Sequence, residues 1–141
     1  MTSRLIIAGI VAQAIFEVFA HFLAPKIFGI ALDPALWVKK FSLMHFNTAV
    51  SYEFAFAVHL CIGIVAFPLG YSLLRGNALG RHGYMTAGII YGVVLWFLAV
   101  GILPLTLKGS FMLGFGTSTW AYLFGHLIFG IVIAWMLNRR Y

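Results

Sequence analysis

Residues 83–105 read GYMTAGIIYGVVLWFLAVGILPL and contain no charged side chain. A helix needs about 20 mainly apolar residues to cross the roughly 30 Å hydrocarbon core of a bilayer. Because a backbone in lipid must satisfy its own hydrogen bonds, a stretch of this length is expected to be a membrane-spanning helix. Three further stretches have the same character, so the predicted spans are about 5–24, 53–74, 83–105 and 120–137.

The composition of the whole chain agrees with a membrane location. Of the 141 residues 63% are apolar and 9% are charged, whereas soluble domains carry roughly 25% charged residues. This disfavours a soluble enzyme, a nucleic-acid-binding protein and a disordered chain. The formal charge of +6 comes from single or paired cations between apolar blocks, which suits anionic lipid headgroups. The single cysteine, Cys61, excludes an internal disulfide and is expected to be buried.

The connections between the spans set the predicted architecture. The second one, Arg75 to His82, is short and makes the second and third spans antiparallel neighbours. The first is long and contains Asp33-Pro34, an N-cap followed by proline at the first helical position. Apolar residues then recur at helical spacing, which predicts an amphipathic helix of about 33–46 in the membrane interface. In the third connection, the apolar residues around Met112 are expected to dip into lipid.

Two parts of the chain resemble each other. His59-Leu60-Cys61-Ile62-Gly63-Ile64-Val65 matches His126-Leu127-Ile128-Phe129-Gly130-Ile131-Val132 at five of seven positions. Gly9-Ile10 and Pro25 in the first span likewise match Gly88-Ile89 and Pro104 in the third. We therefore predict an all-α, integral-membrane four-helix bundle built as two repeated helical hairpins, plus the interfacial helix. The whole chain, residues 1–141, forms one domain, and the repeat places His59 and His126 at equivalent depths.

The segment Gly125-His126-Leu127-Ile128-Phe129-Gly130 is accompanied by a related His-Leu-x-x-Gly in the second span. This pattern resembles small four-helix families of the bacterial inner membrane whose function is unknown. The similarity covers the second to fourth spans. It implies the architecture and a multi-pass location in the inner membrane, and it implies no activity.

The distribution of basic residues predicts the orientation. An even number of spans puts both termini on one side of the membrane. That side carries five arginines, whereas the other side carries four lysines. Because cytoplasmic loops are enriched in lysine and arginine, we predict that both termini are cytoplasmic.

A polar stripe crosses the otherwise apolar first span. Gln13, Glu17 and His21 lie four residues apart and therefore share one helix face. The matching positions of the third span, Gly92, Trp96 and Val100, are small or apolar. Ionisable residues within a membrane are costly and mark functional sites by default. One interpretation is a proton, ion or metal site, and the other is a hydrogen-bond network that orients helices.

Two sets of residues are candidates for ligand binding. His59 and His126 are each followed after four residues by a glycine, so close packing should turn both imidazoles into the bundle. Paired histidines of a bundle can ligate a b-type haem, and imidazole also suits a transition metal. A metal site could alternatively combine Glu17 and His21 with Glu53 at the start of the second span. A proton relay without any cofactor is the third interpretation, and no cofactor is the default expectation.

The small share of the chain outside the bilayer guides the prediction of function. It leaves no domain to recognise a soluble substrate, and the motifs of hydrolases, P-loop proteins and dinucleotide-binding enzymes are absent. The leading prediction is a non-catalytic accessory subunit of a larger inner-membrane assembly, of respiratory or redox type. One alternative is an electron carrier that uses His59 and His126, and another is a small proton- or ion-coupled transporter or channel. The predicted partners are the bilayer and other membrane subunits or further copies of this chain, with no nucleic acid.

Overall fold

The computed structural model describes residues 2–138, and within this range the chain forms helices and no strand. Four helices are long and apolar enough to cross a membrane, and a shorter helix lies between the first two. The helices in chain order are α1 (Ser3–Phe28), α2 (Pro34–Phe46), α3 (Tyr52–Gly76), α4 (Tyr84–Thr106) and α5 (Thr117–Asn138). The prediction of an all-α protein with four helices of membrane-spanning length is confirmed.

Three of the long helices contain a widened, π-helical turn that ends two residues before a proline. The turns are Phe19–Leu23, Ile62–Ala66 and Phe97–Ile102, and the prolines are Pro25, Pro68 and Pro104. A proline has no N–H for the preceding turn, and its ring crowds the carbonyl four residues earlier, so the helix widens there. As a result α1 continues through Pro25 to Phe28, although the sequence predicts its end at the proline.

α5 is the central helix of the bundle. It packs most extensively on α4 and next on α1, while α1 packs in turn on the widened turn of α3. Half of the most apolar stretch of α5 is buried within the chain, against 22% for α3. α3 is the least buried span and lies at the edge of the bundle, where it packs on α1 and also contacts α4, whose Tyr91 hydroxyl donates to the Phe67 carbonyl. The shorter helix α2 packs across the amino-terminal half of α3.

Glycines bring α4 and α5 into backbone contact. A Cβ on Gly88 would lie 2.6 Å from the Ile131 Cα, and a Cβ on Gly92 would lie 2.9 Å from the Leu127 Cα. Gly130 of α5 faces the Gly92 backbone at the same crossing. Such contact increases van der Waals packing, a main source of attraction between helices in lipid. Gly88-x-x-x-Gly92 therefore acts as a helix-packing motif in this fold.

Two arginines hold the carboxyl end of α5. Arg4 donates to the Met136 carbonyl at 2.9 Å, and Arg75 donates to the Leu137 carbonyl at 2.6 Å. The last carbonyls of a helix have no partner within it, and positive charge there also matches the helix dipole. These two cations therefore stabilise the bundle, a role beyond the expected contact with lipid headgroups.

Two expectations about single side chains are wrong. Met112 is 5% exposed and packs in the core, whereas its neighbours Phe111 and Phe115 are exposed. The α4–α5 connection folds back as a short 3₁₀ segment in which the Met112 carbonyl accepts a hydrogen bond from the Thr119 hydroxyl. Cys61 is exposed, because it lies on the edge helix α3 rather than at the centre of the bundle.

Candidate functional site

The polar stripe of α1 forms a connected cluster with a histidine of α3. Glu17 Oε1 accepts a hydrogen bond from Gln13 Nε2 at 2.6 Å, and Glu17 Oε2 lies 3.1 Å from His21 Nε2. His59 Nε2 lies 2.9 Å from Glu17 Oε1 and 2.9 Å from Gln13 Nε2. We call these four residues the carboxylate cluster.

A glycine on α3 makes room for the carboxylate cluster. A Cβ on Gly63 would overlap the Gln13 amide oxygen, so only glycine fits opposite this amide as it stands. Gly63 lies one turn after His59, in the widened turn of α3. The sequence His59-x-x-x-Gly63 thus supplies an imidazole to the cluster and also clears the space that the neighbouring helix needs.

The distances around Glu17 restrict where protons can lie. A carboxylate only accepts hydrogen bonds, and a neutral imidazole has one donor and one acceptor nitrogen. The 2.9 Å contact between His59 Nε2 and Glu17 Oε1 as a hydrogen bond needs one proton between the two atoms; when Nε2 carries it, the 2.9 Å contact with the Gln13 amide nitrogen is not a hydrogen bond, because both atoms are donors. Either the imidazole donates to a carboxylate or a carboxylic acid donates to the imidazole. The cluster can accordingly hold a proton and exchange it between two helices.

Exposure changes steadily along the carboxylate cluster. Gln13 is 3% exposed, and the side chains of His59, Glu17 and His21 are 13%, 18% and 39% exposed. His21 is therefore the outer end of the cluster, and Gln13 is its inner end. Together the four side chains form a polar path from the outside of the bundle to its interior.

His126 lies on α5 in a different environment from that of His59. It is 6% exposed, and its Nδ1 lies 2.7 Å from the Tyr122 carbonyl oxygen one turn earlier. Because a carbonyl can only accept, Nδ1 carries a proton. Burial among apolar side chains favours the uncharged ring, whose Nε2 is then an acceptor. Within residues 2–138 this Nε2 has no hydrogen-bond partner.

His59 and His126 line one apolar cavity of about 130 Å³. Phe16 lies between them, with its ring centroid 6.2 Å from that of His59 and 5.6 Å from that of His126. Helix α2 covers the cavity, and the Trp37 indole of α2 donates to the Tyr122 hydroxyl at 3.2 Å. His59 and His126, which match in the sequence comparison, thus line the same internal space.

This geometry leaves little room for a haem between the two histidines. The cavity of about 130 Å³ is smaller than ordinary ligand pockets, which measure roughly 300–1,000 Å³. Phe16 occupies the space between the two imidazoles. A macrocycle ligated by His59 and His126 would therefore require Phe16 to move away.

The residues predicted as metal ligands are only partly together. Glu17 and His21 are in contact within the carboxylate cluster, whereas Glu53 is an exposed residue in the first turn of α3. In the part of the chain that the structure describes, no group of three His, Cys, Asp or Glu side chains is arranged to hold a metal ion.

Sequence reasoning missed two features of the site. His59 joins the polar stripe of α1, although the sequence pairs it with His126 as a cofactor ligand. The glycine that follows His59 at the depth of Gln13 is the signal that could have indicated this contact. The second missed feature is the cover formed by Trp37 and Tyr122, for which the sequence carries no comparable signal.

The fold and the site define a small protein with four helices of membrane-spanning length and a polar cluster inside the bundle. The chain belongs to a family of unknown function, DUF6789, which it matches over residues 3–141. Neither the comparison with curated proteins nor the comparison with solved structures gives a match. The family match is compatible with the predicted resemblance to membrane families of unknown function.

Proposed function

We propose that the protein is a small non-catalytic subunit of a larger inner-membrane assembly, of respiratory or redox type. The observation that supports this proposal is the exposure of His21, whose side chain is 39% accessible on the outside of α1. It lies seven residues before the end of α1, about 10 Å from that end at 1.5 Å per residue. A polar group at that depth is costly against lipid. A neighbouring subunit that covers the Glu17–His21 pair removes this cost.

Site-specific photocrosslinking in native membranes tests this proposal. A photoreactive residue replaces Phe22, which is exposed beside His21, and the matched control position is Val93, exposed on α4. We expect position 22 to crosslink to one membrane polypeptide in a fixed ratio, and position 93 to crosslink mainly to lipid. His21→Leu should abolish the crosslink from position 22. Absence of any protein crosslink at position 22, or a crosslink unchanged by His21→Leu, would contradict the proposal.

Proton transfer through the carboxylate cluster is the second candidate function. It is supported by the proton between Glu17 and His59 and by the path of increasing exposure that ends at His21. The test is proton flux into liposomes that contain the purified chain, measured with an internal pH-sensitive dye. If the cluster carries protons, Glu17→Gln should abolish the flux and leave the fold unchanged. An equal flux with Glu17→Gln, or no flux with the unaltered chain, would exclude this function.

The third candidate, an electron carrier that uses His59 and His126, has a direct test. An absorption spectrum and a metal analysis are made on the same purified sample. A Soret band with split α and β bands on reduction would establish haem and contradict the non-catalytic subunit. The position of Phe16 between the imidazoles leads us to expect neither band.

We also propose that α1 with α3 and α4 with α5 are two copies of one hairpin. Gly9 and Gly88 match in sequence, and so do Ile64 and Ile131. In the fold, a Cβ on Gly9 would meet the Ile64 backbone, and a Cβ on Gly88 would meet the Ile131 backbone. Matched glycines therefore contact matched partners, which supports an internal duplication.

The proposed orientation places both termini in the cytoplasm and α2 in the periplasmic interface of the inner membrane. Asp33 caps α2, because its side chain accepts a hydrogen bond from the Leu36 amide. Cysteines replacing Lys39 and Lys108 should react with a membrane-impermeant reagent from one side. Cysteines at Arg75 and Arg140, the latter outside the described residues, should react from the other. Labelling of positions 39 and 140 from the same side would contradict the four-span topology.

A further inference from the structure

An apolar groove between α2 and α3 adjoins the cavity that the two histidines line. It encloses about 500 Å³, and its walls include Phe41 and Phe46 of α2 and Phe54 and Val58 of α3. Four residues line both the groove and the cavity: Trp37, Val38, Ile62 and Leu103. No lysine or arginine of the described residues lines either space. The groove and the cavity are therefore adjacent, and these shared side chains lie between them.

Five polar side chains line the cavity, and those of Gln13, Trp37, His59 and Tyr122 make hydrogen bonds to other side chains, which leaves His126 Nε2 for a ligand. His126 is buried, and its Nδ1–H is held by the Tyr122 carbonyl, which directs the opposite edge of the ring away from α5. Nε2 is consequently an acceptor, and it has no partner within residues 2–138. An acceptor that has no partner inside the bundle gains a hydrogen bond when a donor binds to it. The site thus favours a ligand that donates a hydrogen bond, such as one that carries a hydroxyl group.

The walls and volume of the cavity favour a single flat ring. Aromatic side chains surround it, with Phe16, Phe67 and Phe129 among them. An apolar cavity of about 150 Å³ in another protein takes up benzene, so about 130 Å³ suits one six-membered ring. It is too small for the fused rings of a sterol. A ring that carries an apolar tail could place that tail in the adjoining groove.

We propose that the cavity and the groove form one binding site for a membrane-soluble quinol. Its aromatic ring lies in the cavity and its hydroxyl donates to His126 Nε2, while its apolar tail lies between α2 and α3. A phospholipid is a poorer match, because it brings a charged headgroup to a cavity without a cation. The inference goes beyond the subunit proposed above and does not depend on it, since binding is measured on the isolated chain.

The test uses the full chain in phosphatidylcholine liposomes under reducing, anaerobic conditions. Radiolabelled decylhydroquinone is allowed to distribute between these liposomes and protein-free liposomes. We expect a saturable excess that approaches one molecule per chain. The dimethyl ether of the same molecule keeps the ring and the tail but has no donor, so it should bind roughly three- to tenfold more weakly. Methylhydroquinone, which has no long tail, should not reach saturation in the same range.

Protein variants separate the two parts of the site. His126→Phe removes the acceptor and should make the hydroquinone and its ether bind equally. Val58→Trp fills the groove without entering the cavity, so it should weaken both compounds at least tenfold. His82→Phe changes an exposed histidine that lines neither space and serves as the matched control. Thermal unfolding of each variant verifies that it is folded. If His126→Phe does not fold, Val58→Trp still tests the site.

Several outcomes would overturn the quinol site. Binding that does not saturate would show partition into lipid alone. Equal binding of the hydroquinone and its ether to the unaltered chain would show that no hydrogen bond to His126 is made. Binding unchanged by Val58→Trp would place the ligand elsewhere.

Discussion

The two helix pairs of the bundle use matched positions in different ways. In the α4–α5 pair, Gly92 meets Gly130, and the two backbones are in contact. In the α1–α3 pair the matched positions are Gln13 and Gly63, where the glycine makes room for an amide side chain. The crossing of α4 and α5 is thus a backbone-to-backbone contact without polar side chains. At the crossing of α1 and α3, the glycine leaves space for a cluster of polar side chains. The difference follows from the first helix, which carries Gln13 and Glu17 where α4 carries Gly92 and Trp96.

The two histidines show the consequence of this difference. His59 contacts Glu17 and Gln13, because α1 carries polar residues at this depth. His126 has no such neighbour, since the position that matches Glu17 is Trp96, whose indole donates to the Thr119 carbonyl at 2.9 Å. The His126 imidazole instead donates to its own helix, and the residue lines the cavity. The two histidines that match in sequence therefore differ in their hydrogen-bond partners, although both line the same cavity.

The largest loss of stability is expected from Gly130→Ala. A Cβ on Gly130 would lie 2.7 Å from the Gly92 nitrogen and 2.9 Å from its Cα, so two backbones must separate. Forcing extra atoms into a packed contact costs typically 1–3 kcal/mol, and we expect about 3 kcal/mol of unfolding free energy because backbone cannot yield locally. Denaturation with sodium dodecyl sulfate in mixed micelles, followed by circular dichroism, measures it.

The matched control for Gly130→Ala is Gly76→Ala on α3. A Cβ there meets no atom within 4 Å, so this variant should retain the stability of the unaltered chain or exceed it slightly. Equal destabilisation by both substitutions would show that the cost comes from the alanine itself. The backbone contact between α4 and α5 would then not be the tight crossing described above.

The second prediction is that Glu17→Ala destabilises the protein more than Glu17→Gln does. Alanine leaves Gln13 and His59 without their shared acceptor, which costs about 2 kcal/mol for partly buried groups. Glutamine keeps an acceptor oxygen and removes the burial of a charge, so its cost should stay below about 1 kcal/mol. The same detergent denaturation measures both variants. Equal losses with alanine and glutamine would show that the charge of Glu17, rather than its hydrogen bonds, holds α1 to α3.

The spans and the crossing of α4 and α5 are predictable from the sequence, because their signals are local. Twenty apolar residues in a row suffice to identify a span, and Gly88-x-x-x-Gly92 indicates close packing by its spacing alone. The stripe of Gln13, Glu17 and His21 follows from helical periodicity in the same way. These features need no knowledge of how one helix is rotated against another.

The rest of the site depends on such rotations. His59 contacts Glu17 only because α1 and α3 pack with these two faces together. Helical periodicity shows which residues share a face of one helix, but it does not show which faces of two helices pack against each other. The continuation of α1 beyond Pro25 depends on a widened turn that accommodates the proline. Met112 is buried because the α4–α5 connection folds back toward Thr119, a tertiary contact. Each of these features depends on contacts between segments of the chain, and the sequence of a single segment does not reveal it.

A smaller effect is expected from Trp37→Phe, which tests the cover that joins the two helix pairs. The variant keeps an aromatic ring over the cavity but loses the hydrogen bond to the Tyr122 hydroxyl. A bond of this kind contributes about 1 kcal/mol, so local opening of α2 should become about fivefold more frequent. Tryptic cleavage after Lys39 and Lys40 measures this opening. Trp120→Phe, on an exposed indole, is the control and should leave the cleavage rate unchanged.

The last prediction compares the two helix crossings directly through the free energy of unfolding. It combines Gln13→Ala and Gly63→Ala, for which we expect the smallest change. Gly63→Ala alone must displace the Gln13 amide and should cost about 1 kcal/mol. In a chain that already carries Gln13→Ala the amide is gone, so the same change should cost almost nothing. The coupling free energy of the double-mutant cycle should then be about 1 kcal/mol. Replacing Gly92 cannot relieve Gly130→Ala in this way, because backbone remains at that contact. A coupling free energy near zero between positions 13 and 63 would show that the Gln13 amide does not fill the space beside Gly63. The proposed difference between the two crossings would then be wrong.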